Sequence, residues 1–335
     1  MGLYFGGVSD TRSKYKKSVV NAISEYLQQS PNFKIPEGTT NLGDYCFSRW
    51  TNLQKMDIPN SVISLGNHCF KYCYGLTEIE IPDSVTSLGE YCFHDCSGLT
   101  EISIPESVSN MGNYCFRYCT GLRNVSIPNT LNQLNEGCFR GCSSLQSFEI
   151  PESVTSLGNG CFQDCTGLTE IEIPHSVTSL GKYCLANTSI TEINIPNSVS
   201  YLGNYCFGSS SGSALQKITF EEPCQITTLE CFSNCGSLTD ITIPSSVTTL
   251  GNYCFRYCAS LPSIEIPETV TYLGSYCFGN CTSLTEIEIP SSVTNVGSNA
   301  FQNCRNLKTI TINKPEDSIY GAPWGATNAT VIWNG

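Results

Sequence analysis

The chain has 335 residues and a formal net charge of −12, with 14% charged and 40% hydrophobic side chains. That balance repels nucleic-acid phosphates and anionic lipid, so neither is an expected partner. No apolar run approaches the ~18 residues a membrane helix needs, so no membrane insertion is expected.

Residues 1–32 form a lead and a predicted capping helix. The opening Met1-Gly2-Leu3-Tyr4-Phe5 is too short for a signal-peptide core, and the basic residues follow it. No signal peptide is visible in this chain. Over residues 11–30, Val19, Val20, Ile23, Tyr26 and Leu27 fall on one helical face, and Pro31 ends the segment. This helix suits a cap over the first repeat, whose core edge would otherwise meet water. It equally suits an attachment segment joining a larger assembly.

Residues 33–312 are repetitive. An Ile-Pro anchor recurs at Ile58, Ile81, Ile104, Ile127, Ile150 and Ile173, each 23 residues after the last. Ile35-Pro36 precedes these by one period, and the anchor or a variant of it continues at Ile195, Phe220, Ile243, Ile266, Ile289 and Ile312. A period between 20 and 29 residues containing Leu-x-x-Ile-x-Ile marks a leucine-rich-repeat solenoid. The fold class is therefore an α/β-type repeat solenoid with terminal caps. Short parallel strands form one face, and short 3-10 or irregular turns form the other.

Within one unit, Leu76, Ile79 and Ile81 read as a strand with its apolar side inward. Pro82 ends strand pairing because it has no N–H to give. Val85 and Leu88 return to the core, and Gly89 is expected to permit a turn that a Cβ would obstruct. Cys92, Phe93 and Cys96 line the far wall. Stacking at the strand spacing predicts a rod roughly 55–60 Å long with a phenylalanine ladder running through it. The unit after Cys184 is shortened, and residues 208–214 insert glycine and serine, as a surface loop or as part of a binding face. Residues 313–335 read as a C-terminal cap, with Trp324 over the last core layer and Thr330–Trp333 adding a strand.

The unit Ile-Pro-x-Ser-Val-Thr-x-Leu-Gly-x-Tyr-Cys-Phe-x-x-Cys-x-x-Leu resembles the BspA-like leucine-rich repeats. The resemblance covers about residues 33–312. It implies a surface, adhesion or phage-associated protein of the kind found in gut and oral bacteria and some protozoa. The implied location is extracellular, on a cell surface or on a virion. One departure is that cysteine precedes the wall phenylalanine where the family has alanine; Ala300 keeps the family's choice.

The 21 cysteines fall into two periodic columns with C-x3-C spacing inside a unit. Three readings are open: buried small hydrophobes in place of alanine, disulfides between neighbouring units, or metal ligands. No metal site and no cofactor is assigned. His94 lies between Cys92 and Cys96, but a nucleophilic pair needs an exposed, activated thiolate, and inward cysteines do not supply one. No catalytic residue is assigned and no enzymatic activity is expected.

Two sets of outward positions are the candidate ligand-binding residues. The strand face carries Glu78, Glu80, Glu101, Glu149, Glu170, Glu172, Glu192, Asp240, Glu265, Glu286 and Glu288. Stacked carboxylates repel, and a cationic partner or divalent ion would relieve them; a solvated face is the plainer reading. The edge beside the wall carries Tyr91, Tyr114, Arg117, Tyr118, Tyr253, Arg256 and Tyr257. Tyrosine with arginine is what recognition surfaces favour, although tyrosines could also close the wall. The expected function is a non-enzymatic binding or adhesion module for a protein or glycan on a host or bacterial surface. The alternative is a structural virion or tail component of a phage, with residues 1–30 as its attachment segment.

Overall fold

In the computed structural model, the described residues are 34–208 and 212–335. The predicted N-terminal helix and its attachment role lie outside them. The chain divides into two compact units. The first holds the described residues up to Val154 with Cys165–Gly167; the second holds Thr155–Asp164 with Leu168–Gly335. Each is a stack of parallel-stranded repeats, and no described residue is helical. None therefore offers a helix long and apolar enough to cross a membrane.

Most repeats contribute two short strands where the sequence suggested one. In the first unit, Lys55–Met56 pairs in parallel with Glu78–Ile79, and Glu101–Ser103 with Asn124–Ser126. A second ladder joins Asn41–Leu42, Ser64–Leu65, Ser87–Leu88 and Asn110–Met111. The expected dip of Leu88 into the core is thus itself a strand. Its leucine is fully buried while Ser87 is half-buried beside it.

The motif Ile-Pro-x-Ser-Val links these two strands. The Val85 N–H donates to the Pro82 carbonyl, closing a turn at 3.0 Å. The serine hydroxyl ties this turn to the repeat before it: Ser84 donates to the Val62 carbonyl and Ser107 to that of Val85, each at 2.6 Å. Gly89 opens the first turn of the wall, where a Cβ was expected to obstruct, and the need is for space and not for positive φ, which it does not have. A Cβ there would lie 2.5 Å from the Asn67 nitrogen and the Gly66 carbonyl carbon of the preceding repeat. Glycine is needed because two backbones pass within contact.

The far wall is built of successive i→i+3 turns, and no described residue is in a 3-10 helix. In one repeat Cys69 N–H bonds to Gly66, Lys71 to His68 and Cys73 to Phe70. His68 and Tyr72, the third residues of two of these turns, have φ of 56° and 64°. A left-handed residue at that place is what a type II turn demands. Alternate N–H groups point the other way. Those of His68, Phe70 and Tyr72 donate to the carbonyls of Glu90, Cys92 and His94 in the next repeat, all at 2.8 Å. The wall is therefore a hydrogen-bonded ladder in its own right, and its backbone donors are used up.

The core is a column of rings. In the first unit Phe47, Phe70, Phe93, Phe116 and Phe139 stack with centroids 5.2–5.6 Å apart. In the second, Phe207, Phe232, Phe255, Phe278 and Phe301 do the same at 5.3–5.6 Å, followed by Trp324 at 6.2 Å. The Phe301 N–H donates to the Trp324 carbonyl, and Thr330–Trp333 pairs in parallel with Thr309–Ile312.

Two of the breaks between sheets in the second unit have a local cause in the sequence. Glu192–Ile195, Lys217–Phe220 and Asp240–Ile241 form one sheet, and Glu286–Ile289 begins another. Pro262 lies in the repeat between them. The residue at its place elsewhere donates across repeats, as Thr239 N–H does to Gln216 at 3.0 Å. Proline has no such hydrogen, so this repeat contributes no strand on that face. The other break separates Tyr201–Leu202 from Thr228–Leu229. There only Glu230 lies between Leu229 and Cys231, where the other repeats place three residues, and the gap is a cavity of about 310 Å³ lined by residues including Asn204 and Glu230.

Candidate recognition surfaces

All eleven acidic residues predicted for the strand face are exposed. Their setting is less repulsive than a column of carboxylates. In the first unit the Lys55 ammonium sits 2.8 Å from Glu78, which raises the lysine pKa. In the second, Lys217 lies in register between Glu192 and Asp240, and it pairs with Asp240 at 3.7 Å. Glu286 and Glu288 face Thr309 and Thr311, and the Asn313 side-chain amide donates to Glu288 at 2.6 Å. Glu80, Glu101, Glu149, Glu170, Glu172, Glu265, Glu286 and Glu288 have no lysine at the equivalent place of either neighbouring repeat. No group of His, Cys, Asp or Glu able to hold a metal ion exists among the described residues.

The tyrosine and arginine edge lies on the turn wall, where its tyrosines occupy the left-handed positions. Tyr91, Tyr114, Tyr118, Tyr253 and Tyr257 have φ between 53° and 63°. Bulky residues rarely adopt that backbone, and here ring contacts hold them in it. In the first unit Tyr45, His68, Tyr91 and Tyr114 stack with centroids 4.4–4.9 Å apart. In the second, Tyr183 stacks on Tyr205 and Tyr253 on Tyr276. Stacking covers the ring faces, so the edges and hydroxyls are what a ligand can meet.

Cations lie across these rings. The Arg117 guanidinium is 5.3 Å from the Tyr114 ring and 4.7 Å from that of Tyr118. Arg256 is 5.3 Å from Tyr253, 4.7 Å from Tyr257 and 5.5 Å from Tyr276. Lys71, which the sequence reading left out of the candidate site, sits over both Tyr72 and Tyr91. Its signal was available: Lys71, His94, Arg117 and Arg140 hold the same place in four successive repeats. His94 is buried against Tyr72, Tyr91 and Tyr118. Burial, with Lys71 and Arg117 nearby, lowers its pKa to about 4, so it is neutral at pH 7.

The cysteines divide by column. All 21 are free thiols, and all but Cys46 and Cys224 are buried. In the second column each thiol donates to the carbonyl of the phenylalanine one repeat earlier. Cys73 bonds to Phe47, Cys96 to Phe70, Cys119 to Phe93 and Cys142 to Phe116 at 3.1–3.2 Å. The second unit repeats this with Cys235, Cys258, Cys281 and Cys304 at 3.0–3.3 Å. The reading of these cysteines as small hydrophobes therefore misses a hydrogen bond. Burial pushes the Cys92 thiol far above its usual range, so beside His94 there is no thiolate to act as a nucleophile.

The chain matches the family model described as BspA type leucine rich repeat region (6 copies) over residues 24–146, 88–214, 132–261 and 210–322. Among solved structures it is similar to a leucine-rich repeat protein from Bacteroides ovatus. That match has 30% identity and a TM-score of 0.73, covering 90% of this chain and 82% of that one. It is also similar to a leucine rich cell surface protein from Faecalibacterium prausnitzii, at 26% identity and a TM-score of 0.57 over 85% and 88% of the two chains. A leucine-rich repeat protein from Eubacterium ventriosum shares the fold at 22% identity, TM-score 0.59, over 87% and 86%. No curated protein matches the sequence.

Proposed function

Because the chain belongs to the BspA type leucine rich repeat family, we propose that it is a non-enzymatic recognition module at a cell surface, taking a protein or glycan ligand on its strand face and tyrosine edge. The observation that carries this reading is the separation of roles along each repeat. Core letters stay fixed, while the outward letters differ from repeat to repeat and all eleven acids are exposed. A stack needing only stability would gain little from that variety. Repeat solenoids use such extended surfaces for binding, and the F. prausnitzii structure is that of a cell surface protein. The acid-rich strand face suits a partner that presents basic groups.

The test is a binding screen of the full chain against immobilised surface proteins and glycans, followed by two sets of variants. Replacing Glu170, Glu172 and Glu192 by alanine should weaken binding of a strand-face ligand about tenfold or more. A ligand that ignores both this variant and the tyrosine-edge substitutions would refute the reading.

A further inference from the structure

The heptad Asn-Tyr-Cys-Phe-Arg-Tyr-Cys occurs twice, as Asn113–Cys119 in the first unit and Asn252–Cys258 in the second. The two copies have the same geometry. Each guanidinium lies 5.3 Å from the tyrosine before it and 4.7 Å from the one after it. Each donates from Nη2 to the later tyrosine hydroxyl, Arg117 to Tyr118 at 3.2 Å and Arg256 to Tyr257 at 3.4 Å. In both, Nε is buried without a hydrogen-bond partner. Among the described residues neither guanidinium has a carboxylate within ion-pair distance, although the chain carries 29 acidic residues against 17 basic ones. Two arginines in an acidic protein are thus held rigid by aromatic rings and left without a counter-ion.

We propose that each Tyr-Cys-Phe-Arg-Tyr turn is a receptor for one anionic group, carboxylate or sulfate, carried by an acidic glycan. This rests on reading the tyrosine edge as a recognition surface. The arginine fork matches either group and is already ordered, so little rotamer freedom is lost on binding. The tyrosine hydroxyls beside it can bond to sugar hydroxyls. An acidic peptide fits less well: it would seek main-chain partners, and the N–H groups of Tyr114, Phe116 and Tyr118 already donate to Glu136, Cys138 and Arg140. Nucleic acid fits less well too. One cation per clamp on a protein of charge −12 suits sparse charge, not a phosphate at every residue. The clamps are not identical in surroundings. Tyr114 hydroxyl donates to Glu136, whereas Ser275 holds the corresponding place beside Tyr253.

The test measures binding of the full chain to immobilised oligogalacturonate, a sulfated oligosaccharide, oligoglutamate and neutral lactose. We expect retention on one or both acidic glycans, the arm that binds naming the group, and little on lactose. Arg117→Gln and Arg256→Gln should each lower apparent affinity about tenfold, and the double variant should fall to the lactose level. Tyr118→Phe and Tyr257→Phe, which keep the ring under the cation, should retain most binding. Arg123→Gln, exposed and away from the wall, should change nothing. Unfolding midpoints of all variants guard against loss through misfolding. The proposal is overturned by failure to bind either acidic glycan, by an unaffected double variant, or by tighter binding to oligoglutamate. The Glu170, Glu172 and Glu192 variant should keep glycan binding, so a failed clamp with an intact strand-face ligand sinks this proposal alone.

Discussion

The two cysteine columns should answer the same substitutions in opposite order. Cys115 and Cys119 belong to one repeat and are both fully buried. Cys119 donates its thiol hydrogen to the Phe93 carbonyl at 3.1 Å. Replacing it with alanine removes a buried atom, worth about 1 kcal/mol, and a weak S–H···O bond worth roughly 0.5–1 kcal/mol. The loss is therefore about 1.5–2 kcal/mol. Serine in its place keeps a donor aimed at the same carbonyl, so Cys119→Ser should cost about 1 kcal/mol or less. At Cys115, whose column accepts alanine naturally at Ala300, Cys115→Ala should cost only about 1 kcal/mol. Cys115→Ser buries a hydroxyl without that carbonyl and should cost about 1–3 kcal/mol. Urea unfolding of the four variants gives the comparison. Because all four lie in one repeat, any departure from two-state behaviour affects them alike. If serine is worse than alanine at Cys119, the hydrogen-bonded column is not what holds the wall.

Trp324→Ala should destabilise the second unit by about 3–5 kcal/mol, since a buried ring against Phe301 is lost; a lower melting temperature with an unchanged first unit would show it. Pro262→Thr should stabilise by about 1 kcal/mol if the missing N–H is what breaks the strand ladder, read as a raised urea midpoint. A thiol reagent at neutral pH should label only Cys224 and, more slowly, Cys46, whose pKa burial lifts to about 12, until denaturant exposes the rest. His94 gives a pH signature. Its folded pKa, about 4, is below the usual 6.5, so the unfolded chain binds the proton first. Stability contributed by the neutral ring is complete above pH 6.5 and falls away as pH drops towards 4. The change should be on the order of 1–2 kcal/mol after allowing for solvent screening, and His94→Gln should flatten it.

The repeat length, the phenylalanine column and the outward acids were legible because each depends on side-chain type at a fixed spacing. What was not legible depends on main-chain geometry between repeats. Ser87–Leu88 pairs as a strand of two residues, too short for an alternation signal. Gly89 looks like any turn glycine until the neighbouring backbone is seen 2.5 Å from its missing Cβ. Pro262 could have been read from sequence, since the loss of one N–H in a ladder is a statement about one residue. The left-handed tyrosines could not. Asparagine and glycine are the usual occupants of that conformation, and Asn280, Asn303, Gly137 and Gly141 do occupy it here.

Tyrosine at those positions is therefore a choice made against backbone preference, and something must offset it. Isolated, a left-handed bulky residue costs of order 1–3 kcal/mol. A stacked neighbour returns about 0.5–1.5 kcal/mol and a cation over the ring about 0.5–1 kcal/mol. The sum comes near balance only where rings and cations occur together, as at Tyr91, Tyr114 and Tyr253. Gly160 and Asp164 show that the wall closes without tyrosine, because both take the left-handed conformation while their counterparts one repeat earlier are Gly137 and Gly141. Closing the wall is thus not a sufficient reason for the aromatic edge. A row of hydroxyls with a clamped arginine at its end is the property that glycine cannot replace.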